Sequence, residues 1–177
     1  MHQKLILDKI ASVLAVTDSS YDEKLTYLLS RASRVFVAGA GRSGLICKNF
    51  TMRLVHTGHD AFIVGETSTR AIGPDDLLVV ISGSGETQQL EAFANKAKQV
   101  GAEILLITSK AGSTIGKIAG TVFQIGNPEN YEGTKGMPMG SVFELSTLIF
   151  LEATVSHIIH EKDLTEEAMK AIHANME

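Results

Sequence analysis

Two hydrophobic periods alternate along this chain. Short apolar runs with few polar interruptions, several rich in β-branched residues, occur at 34–38, 61–64, 77–81, 103–108 and 121–125. Runs of this kind predict strands buried on both faces. Around them apolar residues recur at helical spacing. Leu5, Ile6, Ile10, Val13 and Leu14 form one stripe, and Leu25, Leu28 and Leu29 form a second after the break at Asp18, Ser19 and Ser20. Further helices are predicted from Leu45 through Phe50 and Leu54 to a stop at Gly58, over 88–99, and briefly over 113–119. Ser141 is expected to cap a long helix carrying Val142, Leu145, Leu148, Ile149, Val155, Ile158 and Ile159, and 164–174 closes the chain as a short amphipathic helix. Between the last strand and the long helix, 126–140 holds two prolines and four glycines without periodicity and is expected to be loop. Loops of that length in a compact domain are usually functional or disordered. Five strands separated by helices predict an α/β fold, a three-layer αβα sandwich on a five-stranded parallel sheet, with ligands at the carboxyl ends of the strands.

Composition narrows the range of functions. At 177 residues and 44% hydrophobic content, the chain suits one domain over 1–177, without repeats or linkers. Sixteen Lys and Arg against twenty Asp and Glu give a net charge of −4, which offers no electrostatic footprint for nucleic acid or an anionic membrane. A small-molecule partner is the expectation. Cys47 is the single cysteine, so an intrachain disulfide and an intrachain thiolate cluster are both excluded. With neither a signal pattern nor an apolar run near eighteen residues, the chain reads as cytoplasmic.

The candidate chemistry gathers at the strand ends. The run 77–81 stops at Ser82, and Ser82, Ser84 and Thr87 then bring three hydroxyls into six positions, with Gly83 and Gly85 between them. Strand, glycine–hydroxyl turn and helix start together favour a bound phosphate, whereas a serine-capped turn needs only one hydroxyl. The earlier turn contains Gly39, Gly41 and Gly44 in the dinucleotide-binding spacing, and Glu66 follows the next strand where an acidic ribose contact belongs. Arg42 and Ser43 within that turn, and the second hydroxyl turn beside it, favour a phosphorylated small molecule over a nicotinamide cofactor. Glu144 lies three residues after Ser141, which suits a capping-box partner. Its surroundings of Met137, Met139 and Phe143 equally suit a general base. His157 and His160 have helical spacing but no recognisable third metal ligand, and His56 and His59 flank Gly58 at a helix end.

Over nearly its whole length the chain resembles the sugar isomerase (SIS) domain family, and within it the 6-phospho-3-hexuloisomerases. The resemblance is carried by 38–44 (Ala-Gly-Ala-Gly-Arg-Ser-Gly), Met52-Arg53-Leu54, Val64-Gly65-Glu66-Thr67, the Ser-Gly-Ser-Gly-Glu-Thr turn, Pro138-Met139-Gly140 with Phe143-Glu144, and His173-Ala174-Asn175. Ser68 and Arg70 depart from the Thr and Pro of relatives. The resemblance implies isomerisation of D-arabino-3-hexulose 6-phosphate to fructose 6-phosphate through a 2,3-enediol, with no redox cofactor and no metal. It implies phosphate binding by Ser82, Gly83, Ser84, Gly85, Glu86 and Thr87, with Gly41 and Ser43 contributing from the neighbouring loop. Glu144 becomes the base, Arg42 the cation stabilising the enediolate, and His173 a proton shuttle, in relatives often delivered from a neighbouring subunit. Arg42, His56 and His173 all remain open as the second catalytic group. A cytoplasmic homotetramer is implied, with the terminal helices, about 1–32 and 141–177, in subunit contacts.

Overall fold

The computed structural model describes residues 2–175. Five parallel strands, β1 (Val35–Gly39), β2 (Ala61–Ile63), β3 (Leu77–Ile81), β4 (Glu103–Thr108) and β5 (Thr121–Gln124), lie in the order β2-β1-β3-β4-β5. The α/β class and the parallel five-stranded sheet are as expected. All five residues of β3 are buried. Alternate strand residues feed two cores, as the pleat requires. Val37, Val79, Leu105 and Ile107 meet the layer formed by α1 (His2–Leu14), α2 (Tyr21–Arg31), α3 (Gly41–His56) and α6 (Ser141–Glu161). Phe36, Leu78, Val80 and Leu106 meet α4 (Gln88–Val100) and α5 (Thr114–Ile118) on the other face.

Helix α6 lies at the centre of its layer, packed against α1, α2 and α3. By length and composition it could cross a membrane, but ten of its residues, among them Phe150, Leu151 and Val155, are buried in the protein. A helix that is apolar on most sides is what a core position demands. Its start differs from the expectation. Gly140, at φ +82°, is the N-cap, and Ser141 is the first helical residue, with its Oγ buried and unpartnered. Glu144 is therefore not a capping-box partner; its N–H makes an ordinary helical bond to the Gly140 carbonyl at 3.1 Å.

Other differences are small. Strand β1 begins one residue late, at Val35; Arg34, just before it, forms a bidentate pair with Asp76 at 3.0 and 2.7 Å. Segment 126–140 is mostly loop, but Pro128–Tyr131 forms one turn of 3-10 helix. The closing helix α7 is shorter than predicted, Glu166–Ile172, and is capped by Thr165, whose Oγ1 accepts from Ala168 N at 3.1 Å. Along α1, Ile10 and Val13 are buried while Leu5 and Leu7 face outward. Cys47 is buried between α3 and β1, and desolvation pushes its thiol pKa up to about 12.

Candidate active site

The chain leaves β1 towards β2 on one side and reaches β3 on the other, so the carboxyl ends of β1 and β3 flank a topological switch point. A cavity of about 360 Å³ opens there. The β1–α3 turn gives it Ala40, Arg42 and Ser43; the β3–α4 turn gives Ser82, Gly83, Ser84 and Thr87. Gly140, Phe143 and Glu144 at the start of α6 close the opposite side.

The hydroxyls of the β3–α4 turn are oriented before any ligand arrives. Ser82 Oγ accepts from Gly85 N and Ser84 Oγ accepts from Glu86 N, each at 3.2 Å, which leaves both O–H groups available to donate. Thr87 is the N-cap of α4, yet its side chain makes no capping bond. None of the three hydroxyls caps the helix, so the capped-turn reading does not describe this loop. Gly85, at φ +64°, lies under the turn rather than in the cavity; a Cβ there would come within 2.0 Å of Ser113 Oγ. The Gly83 carbonyl is fixed by Ser109 N at 3.1 Å, Ser109 Oγ at 2.7 Å and Thr108 Oγ1 at 3.0 Å. Glu86 turns away from the cavity. Its carboxylate accepts from Thr114 N at 3.3 Å and faces Lys110 at 3.6 Å, and these contacts, the Thr114 hydrogen bond foremost, hold its pKa down.

Across the cavity Arg42 Nε donates to Glu144 Oε1 at 2.5 Å. The pair joins the first turns of α3 and α6, and Phe143 beside it lies against Gly83. Of the apolar residues expected around Glu144, Phe143 lines the cavity, Met139 is exposed and Met137 packs against the core. Gly41 provides the turn into α3 at φ +55° but does not line the cavity. Two lining residues, Ser109 and Tyr131, went unrecognised in the sequence. Ser109 follows β4 as Ser82 follows β3, a parallel that could have flagged it. Tyr131 comes from the aperiodic segment; its hydroxyl donates to the Ile125 carbonyl, and burial raises its pKa, so it stays a neutral donor.

His173 is not brought to this cavity within the chain. It is exposed at the end of α7 and stacks on His56 at 4.9 Å between ring centroids, at the far end of α3. Fourteen helical residues, or about 21 Å of rise, separate His56 from Arg42. Glu66 also lies outside the cavity and pairs with Lys48 at 3.0 Å, so the acidic ribose contact of a dinucleotide site is not assembled here. Among the described residues no group of three His, Cys, Asp or Glu is placed to hold a metal ion.

A crevice at the β1/β3 switch point, with a hydroxyl turn on one wall and an Arg–Glu pair on the other, suits a phosphorylated polyol. The sequence profile of the SIS domain matches residues 28–156. The chain belongs to the SIS-domain family. A 3-hexulose-6-phosphate isomerase from Methylomonas aminofaciens is 47% identical over 178 residues, covering 99% of this chain and 98% of that protein. Another 3-hexulose-6-phosphate isomerase, from Bacillus subtilis (strain 168), is 38% identical over 170 residues, 94% of this chain and 91% of its own. A crystal structure from Methanococcus jannaschii, of a protein inferred to have the same molecular function, superposes with a TM-score of 0.89 at 30% identity and covers 99% of both chains.

Proposed function

We propose that this SIS-domain chain is a 3-hexulose-6-phosphate isomerase, interconverting D-arabino-3-hexulose 6-phosphate and fructose 6-phosphate. The observation that carries the reading is full-length identity of 47% to an isomerase of that name, in a chain whose cavity sets serine and threonine hydroxyls opposite a carboxylate. The phosphate is held by the hydroxyls of Ser82, Ser84 and Thr87, with Ser43 from the neighbouring turn and the positive end of the α4 dipole behind them. Anchoring that end lets binding energy orient C2 and C3 at the opposite wall. Glu144 removes the proton from C2, the electrons move into a C2–C3 double bond, and the C3 carbonyl becomes an enediolate oxygen. Return of the proton to C3 and transfer of the O2 hydroxyl proton to O3 complete the 2-ketose, with no net gain or loss of atoms. Arg42 lies where it stabilises the enediolate charge, in a site partly withdrawn from water.

The O2-to-O3 transfer needs a second proton carrier, and His173 fills that role only from a neighbouring copy. The outer face of α3 and α6 suits such a neighbour, since Leu45, Met52 and Ile149 are exposed on it. On this reading a two-fold axis crosses α3 near its middle and exchanges its ends, which would bring His56 and His173 of one copy towards Arg42 and Glu144 of the other. The enzyme is on this reading a cytoplasmic homo-oligomer, a tetramer by its family resemblance, with α1 and α7 among its contacts. Incubation with 3-hexulose 6-phosphate, with product fructose 6-phosphate coupled to a dehydrogenase readout, tests the activity. Absence of turnover with sugar phosphate still bound would leave a sensing module instead.

A further inference from the structure

We propose that Gly140 is a positioning residue for the isomerisation, whose missing side chain makes the room in which Arg42 and Glu144 meet. The inference rests on the reading of Glu144 as the base. A Cβ built on Gly140 would lie 2.6 Å from Arg42 Nη2, 2.7 Å from Glu144 Oε1 and 3.5 Å from Arg42 Cζ. Those are its three nearest neighbours, and all belong to the ends of flexible side chains rather than to backbone or packed core. Beyond the backbone strain that any side chain meets at this φ, a methyl group there would press first on these side-chain ends. It would have to move the two groups assigned to the chemistry, separating a contact of 2.5 Å and turning the carboxylate away from where C2 would lie.

Gly136, in the same segment, supplies the comparison. It has nearly the same left-handed backbone, φ +85° against +82°, but a Cβ there would meet nothing within 4 Å. Both positions call for glycine on conformational grounds, and only at Gly140 is the space also occupied by the reacting groups. The β3–α4 turn supplies none of the three atoms nearest a Gly140 Cβ, so substrate anchoring is expected to survive.

The test compares Gly140→Ala, Gly136→Ala and Glu144→Gln by steady-state kinetics on 3-hexulose 6-phosphate and by thermal melting. Gly140→Ala is expected to lose about 10- to 100-fold in kcat, the scale of a displacement near 1 Å. KM should be nearly unchanged and Tm lowered no more than in Gly136→Ala, which keeps its kcat. Equal kcat in the two alanine variants, or a Gly140→Ala loss confined to KM or Tm, overturns the role of Gly140 alone. A fully active Glu144→Gln overturns the reading of Glu144 as base, and with it this role for Gly140.

Discussion

Two arginine–carboxylate pairs stand at opposite ends of the same two strands and differ in nearly every physical respect. At the amino end Arg34, before β1, grips Asp76, before β3, through two hydrogen bonds; the same carboxylate accepts from Gly73 N at 2.6 Å. The Asp76 side chain is 2% exposed and that of Arg34 is 27% exposed. At the carboxyl end Arg42 reaches Glu144 through one hydrogen bond, with exposures of 55% and 17%. A part-buried bidentate pair with both carboxylate oxygens occupied has one geometry and ties β1 to β3. A single contact at a cavity mouth can open, as the proposed role of Glu144 as base requires. Charge pairs of the same residue types thus serve as a bolt at one end of the sheet and, on the proposed mechanism, as working groups at the other.

The largest expected effect falls on the open pair. Glu144→Gln should lower kcat by about 10²- to 10⁴-fold, the range for a positioned general base, and leave Tm nearly where it was. An active variant with wild-type kcat would make this pair as structural as the other. A mixing experiment comes next. Glu144→Gln and His173→Ala, each impaired alone, should regain up to about a quarter of wild-type activity per site when refolded together, because some shared sites then contain both native residues. No recovery on mixing would place the second proton carrier in the same chain as Glu144. Asp76→Ala should show the opposite profile, with Tm lowered by roughly 5–10 °C and kcat near normal below the melt, since it strands Arg34 and Gly73 N. A stable, slow Asp76→Ala enzyme would erase the contrast between the two ends.

The smallest effect is a pH dependence beside the amino end. His59 is partly buried, with Nδ1 3.0 Å from Thr57 Oγ1; desolvation first, and Lys162 second, depress its pKa. A depressed folded-state pKa means that below the ordinary value near 6.5 the unfolded chain takes up a proton that the folded chain refuses. His59 therefore supports the fold above about pH 6.5, and that support fades as pH falls through its folded pKa. Melting scans from neutral to mildly acidic pH should show Tm declining, and less steeply in His59→Asn. Identical slopes would remove His59 from the account.

The sheet was legible because apolar β-branched runs have few alternatives once helices flank them, and strand limits were off by only one residue or so. That the hydroxyl turn after β3 would line the cavity was legible for a local reason: its hydroxyls and glycines are contiguous in sequence. Hidden in the sequence was whatever depends on backbone torsions or distance. Ser141 and Glu144 have capping-box spacing, but the left-handed Gly140 took the cap and freed Glu144 to reach Arg42, 102 residues away. Glu86 belongs to the motif by position and is drawn off by Thr114 and Lys110 on α5 and the loop before it. His173 sits beside a histidine that no sequence spacing links to it.

The buried thiol of Cys47 gives this chain a built-in clock for one particular opening. As the single cysteine, buried between β1 and α3 and kept protonated by a pKa near 12, it is silent towards alkylating reagents while that seam is shut. Its rate of labelling measures how often α3 lifts from the strand that precedes it, the same helix that carries Arg42 at one end and His56 at the other. Mass spectrometry of a timed alkylation thus reports breathing of α3 without any engineered probe, and if Ser43 holds the substrate as proposed, a bound sugar phosphate should slow it.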